Sequence, residues 1–347
     1  MRLDADTVAL VTGGANGIGN EVVRALLQQG CKCAVADLDE AALLAFSTEL
    51  SPVFGSRLTT HRCDVSLLAE CEQLVREVLA AHGGRLTLLV NNAGIVAANS
   101  LGAIRMEDFR AVIDVNLWAP IVLTKLCLPA LAAEPPSRWR RSAYVVNVSS
   151  LEGVVAIPGN LPYCVSKFAV RGFSEALACD AQFLYPHVGV LCVMPGFVQT
   201  DMIERNQARI DTTTLIANKD WKEVARSIQP RTISIWFKRM GSTTPASAAA
   251  QILRAVRKDQ SAVSVGTDSW ILSLLARLFG SYFYAPLIYW PAMAGTLVGV
   301  RIIGKRAVGL AVLAPLLVVG LRHFSLLRSS LSQLLCHGML RVNHSRN

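Results

Sequence analysis

The chain has little charge. Charged residues make up 17% of its 347 residues, against 52% hydrophobic. That balance excludes global disorder, and the length allows a sizeable core, as one large α/β domain or two smaller ones. No acidic residue follows Asp268. The same stretch, 269–347, holds eight basic residues (Arg277, Arg301, Lys305, Arg306, Arg322, Arg328, Arg341, Arg346), so nearly all of the +9 net charge lies there. The preceding chain is close to neutral, which argues against a nucleic-acid partner and for an anionic membrane surface. The nine cysteines are scattered and include no Cys-x-x-Cys pair. Cys31, Cys33, Cys63, Cys164 and Cys192 fall inside apparent core elements and read as buried reduced thiols, hence a reducing, cytosol-like compartment. The six histidines lack metal-ligand spacing, so no metal is expected. The N-terminus runs straight into a strand, and no cleavable signal peptide is expected.

Val8-Ala9-Leu10-Val11 reads as a strand buried on both faces. Thr12-Gly13-Gly14-Ala15-Asn16-Gly17-Ile18-Gly19 follows, and helical periodicity begins at Glu21. A glycine-rich turn between strand and helix lets the backbone approach a pyrophosphate, where free N–H groups and the helix dipole favour anions. The next strand, Cys33 to Asp37, ends on an acid. An acid about 20 residues after such a turn suits the adenosine ribose hydroxyls and repels a 2′-phosphate, so Asp37 favours NAD over NADP. Asp39 reads as a helix N-cap. Asp64, beside Val65, meets the adenine edge or caps the next helix. Leu86 to Val90 is a fourth strand running into Asn91-Asn92-Ala93-Gly94. Phe109 to Leu131 reads as one long helix carrying Asn116. Tyr144 to Ser150 is a fifth strand, and Gly189 to Met194 is a sixth, followed by Pro195-Gly196-Phe197-Val198-Gln199-Thr200. A helix covers Ala246 to Lys258, and Ser261 to Gly266 is the last strand. This alternation predicts an α/β fold, a doubly wound parallel sheet of Rossmann type, with a hydrophobic C-terminal extension. Ligands of such sheets bind outside the strand carboxyl ends, where Asp37, Asp64, Asn92, Ser150 and Pro195 fall.

Tyr163-Cys164-Val165-Ser166-Lys167 opens the helix after the fifth strand. Residues four apart share a helix face, so a phenol and an ammonium lie side by side. A free tyrosine has a pKa near ~10, and bringing it to ~7 takes roughly 4 kcal/mol of differential stabilisation of the phenolate. A neighbouring lysine has the right sign for that, and an oxidised nicotinamide adds a second positive charge. The product is a proton donor and acceptor suited to alcohol–carbonyl chemistry.

Together these motifs resemble the short-chain dehydrogenase/reductase family, in its common single-domain form, over about residues 5 to 265. The motifs are the Thr12 to Gly19 turn, Asp64-Val65, Asn91-Asn92-Ala93-Gly94, Asn116, Ser150, Tyr163 to Lys167 and Pro195-Gly196. The resemblance implies that Tyr163 exchanges a proton with the substrate oxygen. It implies that Lys167 binds the nicotinamide ribose and lowers the Tyr163 pKa. Ser150 would hydrogen-bond the carbonyl or alkoxide, and Asn116 would hold a water linking Lys167 to solvent. The expected dinucleotide contacts are Gly13, Asn16, Gly17, Ile18, Gly19, Asp37, Asp64, Val65, Asn92, Ala93, Gly94, Tyr163, Lys167, Pro195, Gly196, Val198 and Thr200. The implied reaction moves a hydride between nicotinamide and a secondary alcohol or ketone carbon.

Ser150, Glu152, Ile157, Phe197 and Met202 are the expected substrate-pocket residues, and residues 201–243 correspond to the family's mobile lid. Their apolar content suits a lipophilic steroid, retinoid or fatty alcohol; ordinary core and lid packing is the other reading. The expected domains are a catalytic unit over 1–268 and a hydrophobic, basic segment over 269–347. Residues 278–300 carry no charge, and 307–321 form a second uncharged run. Membrane contact through residues 278–321 is one reading; packing on the domain or on a second subunit, as in a homodimer, is the other. A membrane-anchored dinucleotide-binding scaffold without turnover is the alternative function. A sugar-nucleotide epimerase or dehydratase is disfavoured by the glycine spacing and the Asn-Asn-Ala-Gly stretch.

Overall fold

The structure, a computed structural model, describes residues 1–99, 101–135, 141–157, 159–210 and 243–279. Seven strands form one parallel sheet: β1 Val8–Thr12, β2 Lys32–Asp37, β3 Leu58–Arg62, β4 Leu88–Asn91, β5 Ala143–Val148, β6 Val188–Pro195 and β7 Ala262–Val265, in the order β3-β2-β1-β4-β5-β6-β7. The helices between them are α1 Gly17–Gln28, α2 Glu40–Phe54, α3 Leu68–Ala81, α4 Met106–Ile113, α5 Ala119–Ala133, α6 Leu161–Leu184 and the short α7 Met202–Arg205; α8 Pro245–Arg257 and α9 Thr267–Phe279 flank β7. This is the expected doubly wound α/β fold. The order reverses between β1 and β4, the crevice where such sheets bind ligands.

The inner strands β1, β4, β5 and β6 are buried on both faces because alternate side chains feed two cores. From β1, Ala9 and Val11 join Val22 and Leu26 of α1 and Ile252 of α8. Val8 and Leu10 point the other way, to Leu74 of α3 and Leu123 of α5. Parallel register holds the strand ends level: Thr12 pairs with Ala36, Asp37 with Arg62, and Asn91 with Asn147.

The segment expected as one helix over Phe109 to Leu131 is two helices joined by a π turn at Asp114–Trp118, with Asn116 buried inside it. Among the described residues, Met106–Ala133 is the one helical run long and apolar enough to cross a membrane. It packs on α3, α6, β4 and β5. The compact unit containing the sheet runs from Met1 to Ser281, so α9 lies within it, packed on β7. The run 278–321, assigned above to membrane contact, lies outside the described residues except for the backbone of Leu278 and Phe279. Eight cysteines are free thiols; all but Cys179 are buried, and the described residues contain no disulfide.

Candidate active site

A cleft of about 740 Å³ opens along the carboxyl ends of the strands. Every expected cofactor and substrate residue lines it except Gly19, which sits just beneath it in α1. Of the four expected catalytic residues, Ser150, Tyr163 and Lys167 line the cleft, and Asn116 lies behind it.

At the dinucleotide end, Gly13 has φ +61° and Gly17 has φ +55°. A Cβ on Gly13 would stand 2.9 Å from the Ala93 Cα, and one on Gly19 would stand 2.3 Å from the Gly13 carbonyl oxygen. Only glycine allows this turn to press against the end of β4. Thr12 Oγ1 accepts from the N–H groups of Asn92 and Ala93, both at 3.1 Å, and Asn92 Nδ2 donates to the Thr12 and Gly13 carbonyls, both at 3.0 Å. Asn16 stands at the N-cap of α1 but gives the helix no side-chain hydrogen bond, and its buried Nδ2 has no partner among the described residues. An orphaned donor beside an open helix N-terminus is a fit for a phosphate. Asp37 accepts from Ala15 N–H and from Asp39 N–H, both at 3.1 Å, which fixes its carboxylate at the rim of the glycine turn. Asp39 caps α2 through Ala42 N–H at 3.0 Å, as expected. Asp64 forms a local turn instead of a helix cap: its Oδ1 accepts from the N–H and the hydroxyl of Ser66. These residues fit a dinucleotide.

At the other end, β5 delivers Ser149 and Ser150, and α6 delivers Tyr163 and Lys167. A short 3₁₀ turn, Leu151–Gly153, lies against α6; Ser149 Oγ donates to the Lys167 carbonyl at 2.7 Å. Lys167 Nζ donates to the Val148 carbonyl at 2.9 Å and sits 5.4 Å from the Tyr163 ring centroid. Asn116 is locked: its Oδ1 accepts from Ile95 N–H at 2.8 Å, and its Nδ2 donates to the Ile95 carbonyl at 2.9 Å and to Ser166 Oγ at 3.0 Å. π turns of this kind are frequent at functional sites.

Burial suppresses charge here. It lowers the Lys167 ammonium to about 8, and it raises the Glu152 carboxyl to about 7. Burial also raises the Tyr163 phenol above its usual range, and the Glu152 charge adds to that while the Ser150 hydroxyl opposes it. The lowering of Tyr163 expected from Lys167 is therefore not a property of the side chains alone, because burial of the phenol and the Glu152 charge outweigh the lysine.

Three contributors were not identified from the sequence. Ser166 Oγ donates to the Tyr163 carbonyl at 2.7 Å, tying Asn116 to α6. Asp268 Oδ2 accepts from Phe197 N–H at 2.6 Å, which reaches back across 71 residues to hold the loop after β6. Arg205, on α7, donates to Asn16 Oδ1 and lies 3.5 Å from Asp39. The one available signal was the position of Ser166 inside the Tyr-to-Lys spacing.

A family model described as short chain dehydrogenase matches residues 7–211. SadH of Mycobacterium tuberculosis, provisionally named an oxidoreductase, is 32% identical over 279 residues, covering 80% of this chain and 92% of that protein. A protein of Eggerthella lenta named 3beta-hydroxysteroid dehydrogenase 2 is 33% identical over 204 residues, covering 57% of this chain and 73% of its own length. The crystal structure of a short chain dehydrogenase/reductase from Burkholderia phymatum in complex with NAD superposes with TM-score 0.68 at 24% identity, covering 80% of this chain and 95% of that one.

Proposed function

Because the chain belongs to the short-chain dehydrogenase family and is an oxidoreductase acting on CH–OH groups, we propose that it oxidises or reduces a lipophilic alcohol–ketone pair with NAD, using Tyr163 as the proton carrier. The observation that carries this reading is the single cleft shared by the Gly13 to Gly17 turn and the Ser150, Tyr163 and Lys167 side chains. When bound, the nicotinamide accepts or supplies the hydride. Tyr163 Oη takes the proton from the alcohol oxygen, or returns it to the carbonyl oxygen. Ser150 Oγ donates to that oxygen and holds it beside the phenol. Lys167 supplies positive charge behind the ring, and Asn116 holds Ile95 and α6 in register around it. Asp37, fixed at the rim of the glycine turn, supports NAD over NADP.

The lipophilic substrate rests on Leu151, Ile157, Phe197 and Met202 along the cleft and on the steroid named for the Eggerthella lenta relative. We read residues 1–268 as the catalytic domain and the uncharged, basic-flanked run 278–321 as a membrane contact, supported by its composition.

The test uses the full chain in detergent, with NAD or NADP and a panel of apolar secondary alcohols, followed by nicotinamide fluorescence. Turnover should vanish in Tyr163→Phe while dinucleotide binding remains. Turnover that survives this substitution would exclude Tyr163 as the proton carrier. Dinucleotide binding by wild type without turnover of any alcohol or ketone would favour the scaffold.

A further inference from the structure

Among the described residues, Glu152 is an acid at the substrate end of the cleft that proton transfer and dinucleotide binding do not use. Glu152 is 7% exposed and lines the cleft beside Ser150. Its own N–H donates to Ser150 Oγ at 3.1 Å, which ties its position to that of the catalytic serine. Its carboxylate accepts from Asn160 Nδ2 at 3.2 and 3.3 Å and from Cys164 Sγ at 3.2 Å. Both donors are neutral. Among the described residues no lysine, arginine or histidine forms a salt bridge with it. Buried carboxylates are normally paired with a cation or fully hydrogen-bonded. A carboxylate offers about four acceptor sites, and one amide and one thiol leave some of that capacity unused.

Among the described residues, Ile95, Leu151, Ile157, Phe197 and Met202 give the cleft its apolar lining around Glu152. A wholly hydrocarbon-like substrate would cover Glu152 and add nothing to its hydrogen bonding. A substrate with a second hydroxyl would complete it. Asn160, which also lines the cleft, is braced by a bridge to Asn99, so the pair is held in place before any substrate arrives.

Resting on the oxidoreductase reading above, we propose that Glu152, held by Asn160 and Cys164, is a specificity residue. It accepts a hydrogen bond from a second hydroxyl on an otherwise apolar alcohol or ketone. The substrate class is then a lipophilic diol or hydroxyketone. Selection of this kind is strong because a site built to bond a hydroxyl leaves a buried polar group unpaired with the analogue that lacks it.

The experiment compares kcat/KM for matched pairs on the full chain: cyclohexanol against cyclohexanediol, phenylethanol against phenylethanediol, and a monohydroxy against a dihydroxy steroid. At pH 8 or above, where the Glu152 carboxyl is ionised, wild type should favour the dihydroxy member of at least one pair by roughly ten- to a hundredfold, the range of a hydrogen bond to a charged acceptor. Glu152→Leu should bring that ratio close to one, and Glu152→Gln, which keeps an acceptor oxygen, should retain part of it. NADH binding by each variant reports whether the fold survives. If Glu152 only braces the turn against α6, both members of a pair lose rate equally and the ratio stays put, which overturns the inference. A wild type that favours the monohydroxy member, or treats the two alike, in every pair also overturns it while leaving the oxidoreductase reading intact. No turnover of any probe, with NADH still bound, overturns both.

Discussion

Removing the Asp37 carboxylate should weaken the choice between NAD and NADP by about two orders of magnitude. The carboxylate is fixed by two backbone N–H groups at 3.1 Å, one on each side, so it cannot swing away from a phosphate placed at the ribose. A 2′-phosphate carries about −1.5 to −2 charges near neutral pH. One pair of like charges ~4 Å apart costs about 4 kcal/mol at an effective dielectric of ~20. Asp37 is only half-buried, and solvent screening reduces the cost to about 2–3 kcal/mol, or roughly 30- to 150-fold. Two arginines stand nearby, but each already has a partner: Arg62 lies 3.2 Å from Glu70 and Arg205 lies 3.5 Å from Asp39. The assay is fluorescence titration of wild type and Asp37→Ala with NADH and NADPH, at low and at high salt. Lost backbone support affects both dinucleotides, so the ratio of dissociation constants isolates the ribose end. That ratio should fall in the variant, and the wild-type preference should shrink with salt. A wild type that prefers NADPH would refute the reasoning, by showing that Arg62 or Arg205 leaves its carboxylate for the phosphate. An unchanged ratio in Asp37→Ala would refute it as well.

Gly19→Ala should abolish NADH binding and lower stability by about 1–3 kcal/mol, the usual cost of overpacking, since its Cβ would fall 2.5 Å from Asn92 Nδ2 as well as against the Gly13 carbonyl. Normal NADH titration of a folded variant would contradict that packing. Glu152→Gln should change the pH dependence of stability. The folded-state pKa of Glu152 is about 7, above the 4.5 of an unperturbed carboxyl, so its charged form is penalised in the fold. Wild type therefore loses stability as pH rises from about 4.5 to about 7 and then levels off, with a ceiling of roughly 3 kcal/mol. Thermal denaturation at pH 5 and pH 8 should show the glutamine variant gaining on wild type at the higher pH; a gap independent of pH would rule this out.

The sheet was legible because its inner strands are short apolar runs buried on two faces. The glycine turn and the Tyr163 to Lys167 spacing were legible because both are local, and the register of β1, β4 and β5 brings their ends to one cleft. The π turn at Asn116 was not legible. It is accompanied by two hydrogen bonds between Asn116 and the Ile95 backbone, 21 residues away, which the helical pattern of Phe109 to Leu131 does not announce. Asp268 was invisible for the same reason. It stands where the composition turns basic and apolar, yet its partner is the Phe197 N–H of the loop after β6.

The electrostatic character of the cleft could not be read from residue types either, and it alters what the Tyr–Lys pair means. By type, an ammonium one turn from a phenol should favour the phenolate. In place, the cleft drives Tyr163, Glu152 and Lys167 each toward its neutral form, and burial is the largest cause in all three cases. A lysine brought down to about 8 is still roughly nine-tenths charged at pH 7, but burial of the phenol and the Glu152 carboxylate both work against the phenolate. The side chains alone thus favour the protonated phenol. Forming the phenolate calls for added positive charge in the cleft, which an oxidised nicotinamide would supply.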